Sequence, residues 1–276
     1  MFRTTPLILA AALLLPALAA AGECKFTAER SATIDAAGSK RIVIAAGAGE
    51  LEIAGDSGGS ARAKGRACAS SAELLDSIQI ETRREGDTVY VRAVMPEWQE
   101  GAFTINRYAT LDLSVLVPKG AALSVDDSSG DLQLRDVQSA VVADSSGDLT
   151  IRNIAGDLGV TDSSGEISIR QIAGSLRLKD SSGDVRIEDV RGDVEVEVDS
   201  SGDLEIERVA GGVHIESDSS GDIEISEVQR DVTIDVDSSG SIRVQQINGN
   251  FTVGSDSSGD ITVDRVLGAV RIPSKD

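Results

Sequence analysis

The chain has 276 residues, of which 46 are acidic and 26 basic, so its formal net charge at pH 7 is −20. Such a surface repels nucleic-acid phosphates and anionic lipid headgroups, which argues against binding to nucleic acid or directly to a membrane surface. Cations and basic partners are the ligands that this charge favours.

The first 21 residues have the pattern of a signal peptide. Arg3 precedes an apolar run from Leu7 to Leu18, and small alanines follow at positions 19–21. The run is shorter than the ~20 residues that a membrane-spanning helix needs. We therefore expect cleavage near Gly22, a periplasmic or secreted protein, and no membrane insertion after cleavage.

The two cysteines are Cys24 and Cys68. Glu23 stands where a lipidation signal needs a small residue, so a lipid anchor is not predicted. In an oxidising compartment an even pair of cysteines favours a disulfide between Cys24 and Cys68, and two buried free thiols are the alternative.

Residues 22–119 are predicted to form an irregular β cap and the opening coils of the fold that follows. Alternating apolar residues predict strands over 41–44, 50–53, 78–82, 88–94 and 110–117, with a helical turn over 72–77. A loop from Met95 to Tyr108 contains Trp98 and Phe103. These aromatic side chains either seal the cap or form a ligand platform.

Residues 120–276 contain a repeat of 17 to 19 residues, each copy marked by the tetrad Asp-Ser-Ser-Gly. The eight tetrads end at Gly130, Gly147, Gly165, Gly183, Gly202, Gly221, Gly240 and Gly259. Between tetrads, two short runs of branched aliphatic residues alternate with polar ones, which predicts two strands per repeat. A second turn usually contains glycine, and because Ser139 and Arg230 replace it, their coils are expected to turn in another conformation.

This pattern predicts an all-β fold, a right-handed parallel β-solenoid (β-helix) in which each repeat is one coil. The step Val117-Pro118-Lys119-Gly120 leading into the Ser-Gly-Asp turns resembles a bacterial β-strand-repeat family of unknown function whose members are labelled putative adhesins. The resemblance implies a β-helical protein of the cell envelope or exterior. It implies no established activity and transfers no catalytic residue.

Two columns of acidic residues accompany the tetrads, one at each side. The first is Asp127, Asp144, Asp162, Asp180, Asp199, Asp218, Asp237 and Asp256. The second is Asp131, Asp148, Glu166, Asp184, Asp203, Asp222 and Asp260, with Ser241 as its gap. One interpretation is that turn hydrogen bonds hold the carboxylates in solvent. The alternative is a calcium-binding edge, for which the first column would supply the metal ligands.

No other set of residues predicts chemistry. The tetrad serines are interpreted as turn hydroxyls, and strand alternation directs His214 outward into solvent. The coils have no long insertions that could wall a substrate cleft, so an enzyme is not predicted. We expect a non-catalytic exported module of the envelope, adhesin-like in character, whose partner is an envelope protein or a glycan, or alternatively a calcium-stabilised periplasmic solenoid.

Overall fold

We describe the fold from a computed structural model, which defines residues 24–96 and 107–273. The predicted signal peptide, the aromatic residues Trp98 and Phe103, and the tail after Pro273 lie outside these ranges. Within them, the chain forms two 12-stranded sheets that face each other, together with one short helix.

The N-terminal part contains seven strands and the helix. They are β1 (Phe26–Asp35), β2 (Arg41–Ala45), β3 (Leu51–Asp56), β4 (Ser60–Ala69), α1 (Ala72–Ser77), β5 (Gln79–Glu85), β6 (Thr88–Val94) and β7 (Ala109–Pro118). The predicted helical turn is confirmed at α1, where the Ser71 side chain caps the helix by accepting a hydrogen bond from the backbone N–H of Leu74.

The repeats contribute seventeen strands, which alternate between the two sheets. They are β8 (Ala122–Asp126), β9 (Leu132–Val137), β10 (Ser139–Ala143), β11 (Leu149–Ile154), β12 (Leu158–Thr161), β13 (Ile167–Ile172), β14 (Leu176–Lys179), β15 (Val185–Val190), β16 (Val194–Val198), β17 (Leu204–Val209), β18 (Val213–Asp218), β19 (Ile223–Val228), β20 (Val232–Asp237), β21 (Ile242–Ile247), β22 (Phe251–Asp256), β23 (Ile261–Val266) and β24 (Val270–Arg271).

Each coil runs from a strand of the second sheet, through the tetrad, to a strand of the first sheet and then through the second turn. The order of the first sheet is β1-β4-β7-β3-β9-β11-β13-β15-β17-β19-β21-β23, and that of the second is β5-β6-β2-β8-β10-β12-β14-β16-β18-β20-β22-β24. Successive coils pair in parallel, and Ile151, for example, lies beside Ile169. The predicted parallel β-solenoid is therefore confirmed, with like aliphatic residues stacked in a narrow core.

One feature of the coils was not predicted. Each strand of the first sheet, from β9 onward, bends at a non-glycine residue in the left-handed region, with φ between 53° and 62°. These residues are Asp136, Asn153, Gln171, Asp189, Arg208, Glu227, Gln246 and Arg265. The bend explains why the inward aliphatics are spaced by two residues and then by three, because the bent residue breaks the strict alternation.

The three coil lengths have two structural causes. In the 17-residue coil, Ser139 already belongs to β10, so the second turn is one residue shorter than its equivalent between Ile154 and Leu158. In the 19-residue coils, the register shifts after Leu178, and Val198 rather than Glu197 pairs with Lys179. The added residue is therefore a bulge in the second sheet.

The two turns of each coil differ in their need for glycine. Each tetrad glycine has φ between 113° and 142°, and a Cβ there would collide with the carbonyl oxygen of the glycine one coil earlier. The second-turn glycines do not have positive φ. Because this turn needs no glycine-only dihedral, Arg230 forms a bend of the same length there.

The N-terminal cap is interleaved rather than sequential. The coil formed by β2 and β3 lies between β6–β7 on one side and β8–β9 on the other. Beyond β7, strands β4 and β1 extend the first sheet with antiparallel pairing, and β5 does the same for the second. Cys24, just before β1, forms a disulfide with Cys68 on β4, with the two Cα atoms 5.8 Å apart.

Candidate functional site

The first aspartate column lies inside the solenoid, at the corner where each coil passes from the second sheet to the first. Seven of its members have between 0% and 4% of their surface exposed, and Asp256 in the last of these turns is half-buried. The seven are Asp127, Asp144, Asp162, Asp180, Asp199, Asp218 and Asp237. The expectation that turn hydrogen bonds would hold these carboxylates in solvent was therefore wrong.

Strand alternation is the reason for this burial. Val125 points inward at the end of β8, Asp126 points outward, and Asp127 points inward again although the strand has ended. In the 19-residue coils, the extra residue between Val196 and Val198 shifts the count by one and returns Asp199 to the interior. The bulge thus preserves the column.

The buried carboxylates have almost no hydrogen-bond partners. Asp127 Oδ1 accepts a hydrogen bond from the Ser128 backbone N–H at 2.9 Å, but its Oδ2 is buried without a partner. For the six members from Asp144 to Asp237, both carboxylate oxygens are buried and unpaired. Buried polar groups normally have partners, and a proton, a cation or an ordered water are the partners that such carboxylates can take.

Burial raises the pKa of these carboxyl groups because it disfavours the charged form. The pKa of Asp127, Asp199 and Asp218 rises to about 7, and that of Asp144 and Asp180 to about 6. The charges of neighbouring column members add to the effect, whereas nearby serine N–H groups oppose it.

The remaining two buried members behave in the same way. Burial raises the pKa of Asp162 and Asp237 as well. The side chains of Asp218 and Asp237 also interact with each other. This interaction raises the pKa of Asp218 and acts to lower that of Asp237. Such a pair can share one proton between two carboxyl groups.

The second column has the opposite environment. Asp131, Asp148, Asp184, Asp203 and Asp222 are exposed, and each accepts a hydrogen bond through Oδ1 from a backbone N–H of the next coil, at 2.8 to 3.2 Å. These carboxylates therefore tie coil to coil, as turn residues with a defined partner.

A third column, which the sequence analysis missed, performs the same task at the second turn. Oδ1 atoms of Asp157, Asp193, Asp231 and Asn250 accept hydrogen bonds from backbone N–H groups one coil further on, at 2.7 to 2.9 Å. Its signal in the sequence was the Asp or Asn that directly precedes β12, β16, β20 and β22, which the glycine beside it obscured.

The second serine of the tetrad is a satisfied turn residue, as predicted. From Ser146 to Ser258, its hydroxyl donates to the carbonyl oxygen of the first tetrad serine one coil earlier, at 3.0 to 3.5 Å. This bond uses the hydroxyl for stacking and leaves no activated nucleophile beside a base.

Ion pairs between coils cover the outer face of the first sheet. The Glu188 carboxylate, of which 10% is exposed, contacts Arg170 at 3.3 Å, Arg208 at 3.2 Å, and Arg186. Burial disfavours the charged form of Glu188 and so acts to raise its pKa. The three guanidinium groups favour the charged form more strongly and hold the pKa of Glu188 below its ordinary value.

His214 lies on the outer face of the second sheet, as strand alternation predicted. One ligand atom each of Glu195, His214 and Glu216 lies within 4.8 Å of the others. Glu195 already pairs with Arg177 at 3.0 Å between Oε2 and Nε, and His214 Nε2 lies 2.9 Å from Asp235 Oδ2. The group is a charge network in which two members have partners, rather than a vacant ligand set.

A shallow groove of about 930 Å³ crosses the same outer face between β8 and β16. Its floor carries the small outward residues Ser124, Val141 and Gly159, and Val141 is 62% exposed. Arg177 and Lys179 lie on one side of this floor.

No helix in residues 24–96 and 107–273 is both long and apolar enough to cross a membrane. No curated protein matches the chain significantly.

Several solved structures are similar to this chain in structural comparison. A putative cell adhesion protein from Clostridium sporogenes is 12% identical, with 90% of this chain and 99% of that chain covered and a TM-score of 0.29. A putative adhesin from Bacteroides fragilis is 12% identical, with 90% and 98% covered and a TM-score of 0.37. A putative lipid binding protein from Parabacteroides distasonis is 17% identical, with 89% and 97% covered and a TM-score of 0.38.

These likenesses carry no functional inference, since the identities are below 25% and the TM-scores below 0.5. The family model is the stronger finding because it matches residues 33–266, which include both the interleaved cap and all eight tetrads. The chain belongs to the family described as Toastrack DUF4097.

Proposed function

We propose that this protein is a non-catalytic, exported module of the cell envelope that binds an envelope protein or a glycan, in the manner of an adhesin. The observation that carries the proposal is the groove on the outer face of the second sheet, where small side chains interrupt an otherwise charged surface. Eight coils at ~4.8 Å spacing give a rod roughly 40 Å long, which supports such a surface rigidly.

Three features support the non-catalytic and exported character. The turns of the repeats are short, so the outer faces over residues 120–273 have no deep cleft of the kind that encloses a substrate. The tetrad serine hydroxyls are used in bonds between coils. A disulfide between Cys24 and Cys68 suits an oxidising compartment outside the cytoplasm.

Filling the groove tests this proposal. A Cβ at Gly159 would have its nearest neighbour, Val141 Cγ2, at 3.9 Å, and Gly159 has no positive φ. Gly159→Trp should therefore fold normally and obstruct the groove. Thr150→Trp, on the exposed outer face of the first sheet, is the matched control.

The measurement is binding of the wild type and both variants to envelope-protein fractions and to an array of bacterial glycans. We expect a ligand that binds the wild type and Thr150→Trp but binds Gly159→Trp at least tenfold more weakly. Absence of any ligand, or equal binding by Gly159→Trp, would contradict the groove as the binding surface.

We propose calcium binding as a second candidate function, carried by the first aspartate column, which we call the inner column because it lies inside the solenoid; the exposed second column is the outer column. The supporting observation is the set of buried carboxylate oxygens without partners, from Asp127 to Asp237. Two carboxylates in neighbouring coils offer up to four hard oxygen ligands, which calcium accepts. A bound cation would also remove the repulsion between these neighbouring charges.

Calorimetry at pH 8 tests calcium binding, because the column is then largely ionised. We expect saturable heat at about 10⁻⁴–10⁻³ M calcium and a rise in the melting temperature beyond that in sodium chloride of equal ionic strength. Asp199→Asn/Asp218→Asn should weaken the heat, whereas the exposed pair Asp203→Asn/Asp222→Asn should not. Equal effects of both salts would rule calcium out.

A further inference from the structure

The last described coil leaves the end of the hydrophobic core uncovered. Leu267, Val270 and Ile272 are 77%, 44% and 47% exposed. Val270 and Ile272 occupy the positions of Phe251 and Val253 one coil earlier, which are 0% and 4% exposed. Exposed apolar side chains in a contiguous patch mark a contact surface.

The backbone at this end is also unpaired on one side. Within the described residues, β23 pairs only with β21 and β24 only with β22. Each strand therefore presents a row of backbone N–H and C=O groups to whatever lies beyond it. Such an edge is a template for another strand unless charges or a covering segment block it.

The opposite end of the solenoid is closed. Its edge strands β1 and β5 alternate exposed polar residues with half-buried ones. Arg30 on β1 joins the two sheets there, since its guanidinium donates to the carbonyl oxygens of Ile78 and Leu75 at 2.6 and 2.8 Å. In a head-to-tail contact, the open end of one copy would meet a polar surface at the N-terminal end of the next, where Arg30 already uses the carbonyl groups of Ile78 and Leu75.

The charge distribution favours self-contact at the open end. The coil over residues 219–237 contains six acidic residues and one basic residue. In contrast, residues 238–256 contain only Arg243 and Asp256 as charged residues, and residues 257–273 contain two acidic and two basic ones. The final two coils are therefore neutral within a chain of net charge −20, so two copies meet there with the least repulsion.

Leu267 itself departs from the repeat in the same direction. The equivalent positions in the two preceding coils are Gln229 and Asn248, whose side chains hydrogen-bond to each other at 2.7 Å. A leucine side chain cannot continue this row of side-chain hydrogen bonds, and it adds apolar surface beside the open edge.

We propose that the open end, formed by β23, β24 and Leu267, is a self-association surface that joins two copies of this chain tail to tail. A two-fold axis at the contact places each edge strand against an identical one, which gives antiparallel pairing and extends both sheets across the dimer. Both N-terminal caps then lie at the outer ends of one longer rod. The contact is small, so its Kd is on the order of micromolar.

Sedimentation velocity of the mature chain over a concentration series tests this proposal. The wild type should form dimers and nothing larger, because the two-fold contact consumes both open ends. Leu267→Lys/Val270→Lys should weaken the Kd at least tenfold. Val236→Lys replaces a valine of β20 that is 41% exposed, against 44% for Val270, and should leave the Kd unchanged, and circular dichroism should show that all three proteins are folded.

Hydrogen exchange identifies the contact surface directly. Amides of β23 and β24 should gain protection as the wild type dimerises, and those of β1 and β5 should not. A monomer at all concentrations, a species that grows beyond the dimer, a dimer insensitive to Leu267→Lys/Val270→Lys, or protection at β1 instead of β23 would each overturn the proposal.

Discussion

The inner and outer acidic columns differ in position by only four residues within each coil, yet the same side chain has opposite roles in them. Asp218 is buried with both carboxylate oxygens unpaired, and its pKa rises to about 7. Asp222 is exposed and accepts a backbone hydrogen bond from Ser241 at 2.8 Å. Turn chemistry explains the outer column, whereas burial disfavours the charged form of the inner column, and a bound proton or cation would relieve that cost.

The strongest test of this comparison places an aspartate elsewhere in the interior. Ile187 on β15 is fully buried between Ile169 and Ile206. Ile187→Asp lacks the turn N–H groups near the inner column, so we expect a loss of more than about 4 kcal/mol in the free energy of unfolding, or no folding.

Urea denaturation followed by circular dichroism measures this loss. Ile187→Val is the control for lost volume and should cost only about 1 kcal/mol. A fully stable Ile187→Asp protein would show that the whole core, and not only its corner, accepts carboxyl groups.

The next largest effect comes from neutralising each column in turn. At pH 8 without divalent cations, Asp199→Asn/Asp218→Asn should stabilise the fold by a few kcal/mol, because it removes two buried, repelling charges without changing their size. Asp203→Asn/Asp222→Asn should instead be neutral or lose about 1 kcal/mol, because their hydrogen bonds from backbone N–H groups become weaker.

Denaturant midpoints of the two double variants at pH 8 and pH 5 decide between these outcomes. The gain of the inner variant should shrink at pH 5, where the wild-type carboxyl groups are already protonated. If the outer pair were the one that stabilises, the assignment of the two environments would be reversed.

The smallest expected effect comes from completing the outer column. Ser241 is its gap and is half-buried at the surface. Ser241→Asp adds one exposed charge beside Asp222 and Asp260, and the repulsion is screened by water and salt. We expect a change within about 0.5 kcal/mol, measured as a melting-temperature shift of no more than about 2 °C.

Much of the repeat fold could be predicted from the sequence because its period and alternation are direct consequences of stacked strands. The interior position of the first column could not, because the alternation of β8 continues beyond the strand into the tetrad, where turn preferences favour a solvent-exposed aspartate. The left-handed residues, such as Arg208 with φ of 58°, have no common residue type that would reveal them.

The cap was the least predictable part of the fold. Strands β1 and β4 were missed because their inward positions contain few branched aliphatics. Those of β4 are small residues such as Ala61, Ala63, Ala67 and Ala69, and Ile34 is the one branched aliphatic among the half-buried positions of β1. Small inward side chains give a weak strand signal. The insertion of the β2–β3 coil between β6–β7 and β8–β9 is a non-local pairing that no local pattern encodes.

The inner carboxyl groups are held at a free-energy cost when they are ionised. An unfolded aspartate has a pKa of about 3.9, whereas the pKa of five inner members lies at about 6 to 7 in the folded chain. Their contribution to stability is therefore fully present below pH ~4 and is lost as the pH rises through the folded values. Glu188, whose pKa is lowered, loses its contribution only in more acidic solution.

The most direct test is the melting temperature of the chain without its predicted signal peptide at pH 5 and pH 8, at equal ionic strength and with a chelator present. We predict a melting temperature higher at pH 5 by roughly 5 °C or more, corresponding to a few kcal/mol. The difference in melting temperature should be smaller in Asp199→Asn/Asp218→Asn, because this variant lacks two of the buried carboxyl groups. A melting temperature at pH 8 equal to or above that at pH 5 would contradict the account.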